Sequence, residues 1–363
     1  MKTLAELQET CDALGIEVAT SGRASKEPYI TGLRDHHWRK EHPDEPLPPQ
    51  IQPMLLGSWE DLDEGEAQDI EADLHAWIVQ PKLDGVRALL HIEEDRVRIT
   101  GRTISEVTYR LSEFQENLPH LIEGWSALKG TILDGELVCP VAKLDTGSTL
   151  TETSLQATTA ILSTSPENTR CIQDGQAAHV RFHTFDILRN CGQDVTPLPL
   201  IERQDYLETA LRQSANPFVE MVPSFVVNKP AIHRNIIARG GEGTVWKKAS
   251  APYEPGRRVS HWIKLKAGIQ VEAFVSGFKP GNNGHSGLIG AIEFSTRRAD
   301  GSSVPVAWVS NWPEQERRAM SSSDSTGNLV LTPFYLGKRA LIQGQDHSAK
   351  ANRIRHARLV KWC

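Results

Sequence analysis

Lys82-Leu-Asp84-Gly85-Val-Arg87 lies between two apolar runs in the segment W-I-V-Q-P-K-L-D-G-V-R-A-L-L-H-I, residues 77–92, which reads as one buried strand. A lysine there needs a reason, because taking its charge out of water is costly. If burial or neighbouring cations keep it unprotonated, it is a nucleophile. It could attack phosphorus, or a carbonyl carbon to give a Schiff base; an ion pair with Asp84 is the plain alternative. Gly85 would let a phosphate-bearing ligand approach the backbone. Taken alone, the pattern favours the ion pair.

Other segments reverse that balance. L-D-G-E-L at 133–137 sets Asp134 and Glu136 on one side of a strand around a glycine. R-F-H-T-F-D-I-L at 181–188 sets Phe185 beside Asp186, and G-G-E-G-T-V-W-K-K at 240–248 brings Glu242 between glycines into a strand. H-W-I-K-L-K at 261–266 alternates, so Trp262, Lys264 and Lys266 share a face. Two carboxylates can hold Mg²⁺, an aromatic ring can stack on a purine, and several cations can neutralise a triphosphate. Every part of a nucleotide site is present.

Strand-like runs that alternate with helical patterns from about 70 to 268 must position these groups, which indicates an α+β or mixed α/β domain. Before them, Leu4, Leu7, Cys11 and Leu14 recur at helical spacing up to Gly15, a basic turn S-G-R-A-S-K follows at 21–26, and Tyr29, Ile30 and Leu33 begin a second apolar face. Residues 38–55 are proline-rich and polar and read as a linker. From 270 the texture changes to short strands with glycine turns, including G-N-N-G-H-S-G at 281–287, which fits a small β-barrel.

Composition narrows the class. The chain of 363 residues suits two modest domains and a small module. No run approaches the ~20 apolar residues of a membrane helix. Acidic residues stand where a signal peptide would be apolar, so export is not expected and a cytoplasmic location is. Five scattered cysteines without a C-x-x-C pair argue against a disulfide framework and a zinc site. Net charge is −6, yet Lys247 to Lys266 and Lys338 to Lys361 are basic stretches compatible with a polyanion partner.

In order, the segments resemble the motifs of covalent nucleotidyltransferases, specifically ATP-dependent DNA ligases of the small bacteriophage type. K-x-D-G-x-R is Lys82 to Arg87, D-G-E is Asp134 to Glu136, and the aromatic-Asp motif is Phe185-Asp186. E-G-x-V-x-K is Glu242 to Lys247, and W-x-K-x-K is Trp262 to Lys266. The S-R-containing motif is Thr100-Gly101-Arg102-Thr103, with serine and glycine changed but the arginine in place. The C-terminal arginine motif, Arg355 to Trp362, has Ala357 where proline is usual. Residues 1–37 resemble a SAP module, a two-helix DNA-binding unit.

The resemblance implies an ATP-grasp-like nucleotidyltransferase domain over 56–268 and an OB-fold barrel over 269–363, after the SAP-like module at 1–37 and the linker at 38–55. It implies a monomer acting on nicked double-stranded DNA with ATP and Mg²⁺ (or Mn²⁺), away from membranes. Lys82 would attack the α-phosphorus of ATP, AMP would pass to a 5′-phosphate, and the 3′-hydroxyl would displace it. Phe185 would stack on adenine and Gln80 face its amino group. Arg102 and Glu136 would hold the ribose, with Glu136 and Glu242 at the metal. Arg87 would meet AMP or the nick phosphate, Lys264 and Lys266 the α-phosphate, and Arg355 and Arg358 the pyrophosphate. The alternatives are an RNA ligase, a GTP-using capping enzyme, and a nick-binding relative without chemistry.

Overall fold

The structure, a computed structural model, describes residues 2–18, 25–140, 154–176, 179–282, 285–298, 300–347 and 353–363. Positions 21–24 of the expected basic turn and 283–284 of the expected barrel hairpin therefore lie outside the described residues. The described chain forms two compact units, one running to Leu265 and the other beginning at Lys266.

The first unit opens with α1 (Leu4–Ala13) and α2 (Glu27–Glu41). A capping box between Thr3 and Glu6 starts α1. Leu7 and Cys11 of α1 pack on Ile30 and Leu33 of α2, and Tyr109 completes this small core. α2 takes in Trp38 to Glu41, a stretch expected to be linker. Trp38 is buried and stacked on His42 at 3.8 Å, and that packing outweighs the polar composition around it.

Two sheets follow. Their strands are β1 (Leu55–Ser58), β2 (Trp77–Pro81), β3 (Val86–Ile92), β4 (Val97–Ile104), β5 (Leu111–Glu113), β6 (Thr131–Val138), β7 (Arg181–Asn190), β8 (Gln193–Asp194), β9 (Val219–Met221), β10 (Gly243–Lys248) and β11 (Arg258–Lys266). The helices are α3 (Glu64–Ala72), α4 (Ser154–Leu162), α5 (Pro166–Gln176), α6 (Leu200–Gln213) and α7 (Lys229–Ala238). One sheet has the order β1-β11-β10-β2; the other has seven strands, β5-β4-β3-β6-β7-β8 with β9 beside β7.

Alternation along each strand sorts its side chains between two layers. On the larger sheet Ala88, Leu90, Leu133 and Leu137 face one core with Leu207 and Ala210 of α6. Leu89, Ile132 and Leu188 face the other way and meet Ile78, Val259 and Trp262 of the smaller sheet. The outer face of the smaller sheet buries Val79, Trp246 and Ile263 against Ile70 of α3 and Ile232 of α7.

The segment expected as one strand over 77–92 is two strands in different sheets: β2 pairs with β10, and β3 with β4 and β6. Lys82 stands in the crossing between them, where no ladder requires an apolar side chain. Gly85 also serves the fold: a Cβ there would collide with the Leu137 carbonyl oxygen of β6, so its missing side chain admits a neighbouring strand.

The second unit is a closed barrel of β12 (Ile269–Pro280), β13 (Ile289–Arg297), β14 (Ser303–Val309), β17 (Arg339–His347) and β18 (Ile354–Trp362), in the order β12-β13-β14-β18-β17. Helix α8 (Glu314–Met320) and the hairpin β15 (Ser321–Ser323) and β16 (Leu329–Leu331) are inserted after β14. Ile292, Phe294, Ala307 and Ile342 form its interior. Among the described residues no helix is long and apolar enough to cross a membrane.

Candidate active site

Between the two sheets of the first unit opens a cleft lined by Leu56, Gln80, Pro81, Lys82, Leu83, Arg87, Glu136, Phe185, Val245, Lys247 and Trp262. Strand parity explains the set. Gln80 follows Ile78 on the inward face of β2, Glu136 follows Ile132 and Asp134 on β6, and Arg87 precedes Leu89 on β3. Phe185 reaches the cleft by another route. The β6–β7 register pairs Asp134 with Asp186 and Gly135 with Thr184, so Phe185 is the unpaired residue of a bulge, a device that re-aims a side chain.

Lys82 Nζ donates to Glu242 Oε2 at 2.6 Å, and the Lys82 backbone N–H donates to the Gly243 carbonyl at 2.9 Å. Both side chains are mostly covered, at 20% and 13% exposure. The lysine is thus an ion pair, but with a residue 160 positions away rather than with Asp84. Asp84 instead accepts from the Leu155 N–H in the first turn of α4, at 3.5 Å.

The carboxylates of D-G-E divide. Asp134, fully buried, accepts from Arg87 Nε and Nη2 at 2.7 and 2.6 Å and from the Tyr253 hydroxyl at 2.7 Å. Glu136 faces the cavity. Burial pushes its carboxyl up to about 7, against the pull of Arg87 and Lys82. Asp186 is held by Arg203 of α6 at 2.8 Å through both oxygens, so it fixes the strand beside the bulge.

Lys247, left outside the candidate set by the sequence, forms one wall. It is 2% exposed, with Nζ 3.7 Å from the centre of the Trp262 ring and 4.4 Å from that of Phe185. Burial lowers its ammonium to about 7, and the Asp186 charge opposes that. Arg87 Cζ lies 4.7 Å from the Phe185 ring, so two cations face one aromatic. The E-G-x-V-x-K spacing carried the signal for Lys247: it is inward by parity with Val245 on β10.

Of the remaining expected residues in the first unit, Arg102 and Lys264 are not among those that line this cleft. Arg102 is exposed on β4. Lys264 is half-buried on β11, on the same face as Trp262, and pairs in register with Ser58. Lys266 ends β11 and groups with the second unit, as does Arg358, opposite Gln343 on β18. Arg355 lies on β18, but its side chain is outside the described residues.

Comparison with known proteins matches this architecture. A DNA ligase of Haloarcula marismortui is 29% identical over 245 residues, 65% of this chain and 41% of that protein. A DNA ligase of Methanothrix thermoacetophila is 29% identical over 249 residues, 67% of this chain and 42% of that protein. The chain thus spans about two fifths of the length of these relatives. A structure from work on DNA binding by Lig E DNA ligases shares the fold at a TM-score of 0.57 and 19% identity, over 87% of this chain and 100% of that one. The family model of the ATP dependent DNA ligase domain matches residues 64–266, more than half of the chain. That span runs from α3 to the end of β11 and takes in every strand that lines the cleft except β1, so the chain belongs to the family of ATP-dependent DNA ligases.

Proposed function

We propose that the protein seals 5′-phosphate/3′-hydroxyl nicks in duplex DNA, with ATP as a substrate and Lys82 as the nucleophile. The observation that carries this reading is the Lys82–Glu242 contact of 2.6 Å at a cleft that also holds Phe185 and Glu136. Lys82 Nζ attacks the α-phosphorus of ATP: an N–P bond forms, the bond to the bridging oxygen breaks, and pyrophosphate leaves. Attack needs Nζ unprotonated, and Glu242 is a carboxylate within reach of that proton. AMP then passes to the 5′-phosphate, and the 3′-hydroxyl displaces it. Such chemistry needs alignment and charge neutralisation above all.

In this reading the base stacks on Phe185, with Gln80 at its 6-position and Trp262 and Lys247 closing the pocket. Arg87 keeps donors for phosphate, since Asp134 engages two of its five N–H groups. Arg102 serves the ribose with Glu136 from the rim of the sheet. Lys264 and Lys266 meet the α-phosphate, and Arg355 and Arg358 the departing pyrophosphate.

Mg²⁺, or Mn²⁺, fits the carboxylates present. Among the described residues no three His, Cys, Asp or Glu side chains cluster as a complete cage. Magnesium is commonly held by one or two carboxylates together with substrate phosphates. Glu136, raised to about 7 by burial, would ionise beside a cation, and Glu242 stands at the same lysine. The ion would supply charge neutralisation at the phosphates.

The barrel supports reading the second unit as an OB fold, and the capped α1–α2 pair supports reading the N-terminal module as SAP-like. The proposed setting is a monomer in the cytoplasm. Incubation with ATP labelled at the α-phosphate should give a protein–AMP adduct that Lys82→Ala abolishes, together with sealing of nicked DNA. Sealing by Lys82→Ala would refute the covalent route, and labelling by GTP alone would favour a capping-type enzyme.

A further inference from the structure

A chain of three polar side chains runs from the backbone of Phe185 to the cleft. Gln204 of α6 donates through Nε2 to the Phe185 carbonyl at 2.8 Å. Its Oε1 accepts from the Ser224 hydroxyl at 3.3 Å, and Ser224 Oγ accepts from Gln80 Nε2 at 2.9 Å. Gln80 is 2% exposed and lines the cavity.

The direction of this chain is set at one end. A carbonyl can only accept, so the Phe185 oxygen requires the NH₂ end of Gln204. The other end of Gln204 is then an oxygen without a proton, and it takes the single hydroxyl proton of Ser224. Ser224 is left with lone pairs, which take the NH₂ of Gln80. Turning the Gln80 amide over would set its oxygen against the Ser224 lone pairs and 3.5 Å from where Gln204 holds Oε1. The bulge makes this possible: Phe185 is skipped in the β6–β7 pairing, and its carbonyl receives a side chain.

We infer that Gln204 and Ser224 are positioning residues that set the nucleobase preference, by locking Gln80 so that only its carbonyl oxygen faces the base. An acceptor there pairs with the 6-amino group of adenine and opposes the 6-oxo group of hypoxanthine or guanine. The inference rests on the proposed reading in which the base stacks on Phe185. Sites built around a directed hydrogen bond reject the mismatched group strongly, because a buried polar atom is left unpaired.

The test is the rate of self-labelling by ATP and by ITP, which differ at position 6, across concentrations that give kcat/KM for each. Wild-type protein should prefer ATP. Gln204→Met keeps the side chain's length and removes the anchor; the ATP:ITP ratio should fall by about tenfold or more. Adding Gln80→Glu to that variant should restore the ratio, because a carboxylate presents an acceptor whichever way it turns. Gln80→Leu in the otherwise unchanged protein tests the same point without touching α6, and should also collapse the ratio. Loss of both activities in proportion, with the ratio unchanged in Gln204→Met or Gln80→Leu, would overturn the inference, as would failure of Gln80→Glu to restore it. If wild-type protein forms no adduct with ATP, the adenylylation reading fails and takes this inference with it; an adduct with an unaltered ratio sinks the inference alone.

Discussion

Arg87 and Asp134 form a two-pronged ion pair, at 2.7 and 2.6 Å, directly behind the cleft wall. The arginine is held far above its already high value by this partner, despite the burial that opposes its charge. The aspartate is completely enclosed, and among the described residues Arg87 and Tyr253 hydrogen-bond to its carboxylate. The pair therefore joins β3 to β6 and aims the guanidinium past Phe185.

Removing one partner should cost far more than removing both. Arg87→Met strands a buried carboxylate, with an expected loss of about 3–5 kcal/mol in urea unfolding. The double variant with Asp134→Leu should recover a large part of that loss, since an apolar pair of similar volume replaces the buried charges. Equal destabilisation by the single and double variants would show that the ion pair is not what holds the strands.

Phe185 predicts a separation between binding and folding. Its ring is half-buried at a bulge and faces the cations of Arg87 and Lys247. Stacking on a base is worth about 1–3 kcal/mol, so Phe185→Ala should raise the KM for ATP about 10- to 100-fold in self-labelling. Phe185→Trp keeps a π face and should retain most of the affinity. An unchanged KM in Phe185→Ala would remove the ring from base recognition.

The pH dependence of stability follows from two buried groups near neutrality. Glu136 is raised to about 7, so between its ordinary value and 7 the folded state holds a proton that the unfolded state has lost; stability falls as pH rises through that window. Lys247 is lowered to about 7, so from 7 up to its ordinary value the unfolded state holds the extra proton; stability rises with pH there. One proton corresponds to a slope of about 1.4 kcal/mol per pH unit at most. Urea midpoints of Lys247→Met should lack the rise above pH 7 that wild-type protein shows. Parallel profiles would mean that Lys247 is charged in the folded protein throughout.

These features differ in how far the sequence discloses them. Asp134, Glu136 and Trp262 are legible because period-two alternation puts them on one face whatever the sheet does. The place of Lys82 is not, since a crossing between two sheets and a continuous strand share the same apolar flanks. Gly85 is ambiguous for a similar reason: a glycine for a ligand and a glycine for a neighbouring carbonyl look alike until Leu137 is located. Gln204, Ser224 and Tyr253 leave no local signal, because their partners lie 124, 144 and 119 residues away from Gln80 and Asp134. Lys247 lies in a legible motif, but charge alone does not report that two aromatic rings enclose it.

The N-terminal helices allow a last test, in which packing and DNA binding give different outcomes. Arg34 is 9% exposed and donates through Nε to the Tyr109 carbonyl at 2.8 Å, where Tyr109 adopts a left-handed backbone at φ 57°. Tyr109 packs into the small core of Leu7, Cys11, Ile30 and Leu33. Arg34→Ala removes a charged donor from a buried carbonyl, a loss of about 1–3 kcal/mol that falls on the α1–α2 anchor rather than on the sheets. Amide exchange should quicken in α1 and α2 and stay unchanged in β3 and β6. If the helices bind DNA, the Kd for nicked duplex should weaken while self-labelling by ATP keeps its rate, because none of the cleft-lining residues belongs to α1 or α2. Faster exchange with unaltered DNA affinity would reduce the module to a packing element on the Tyr109 loop.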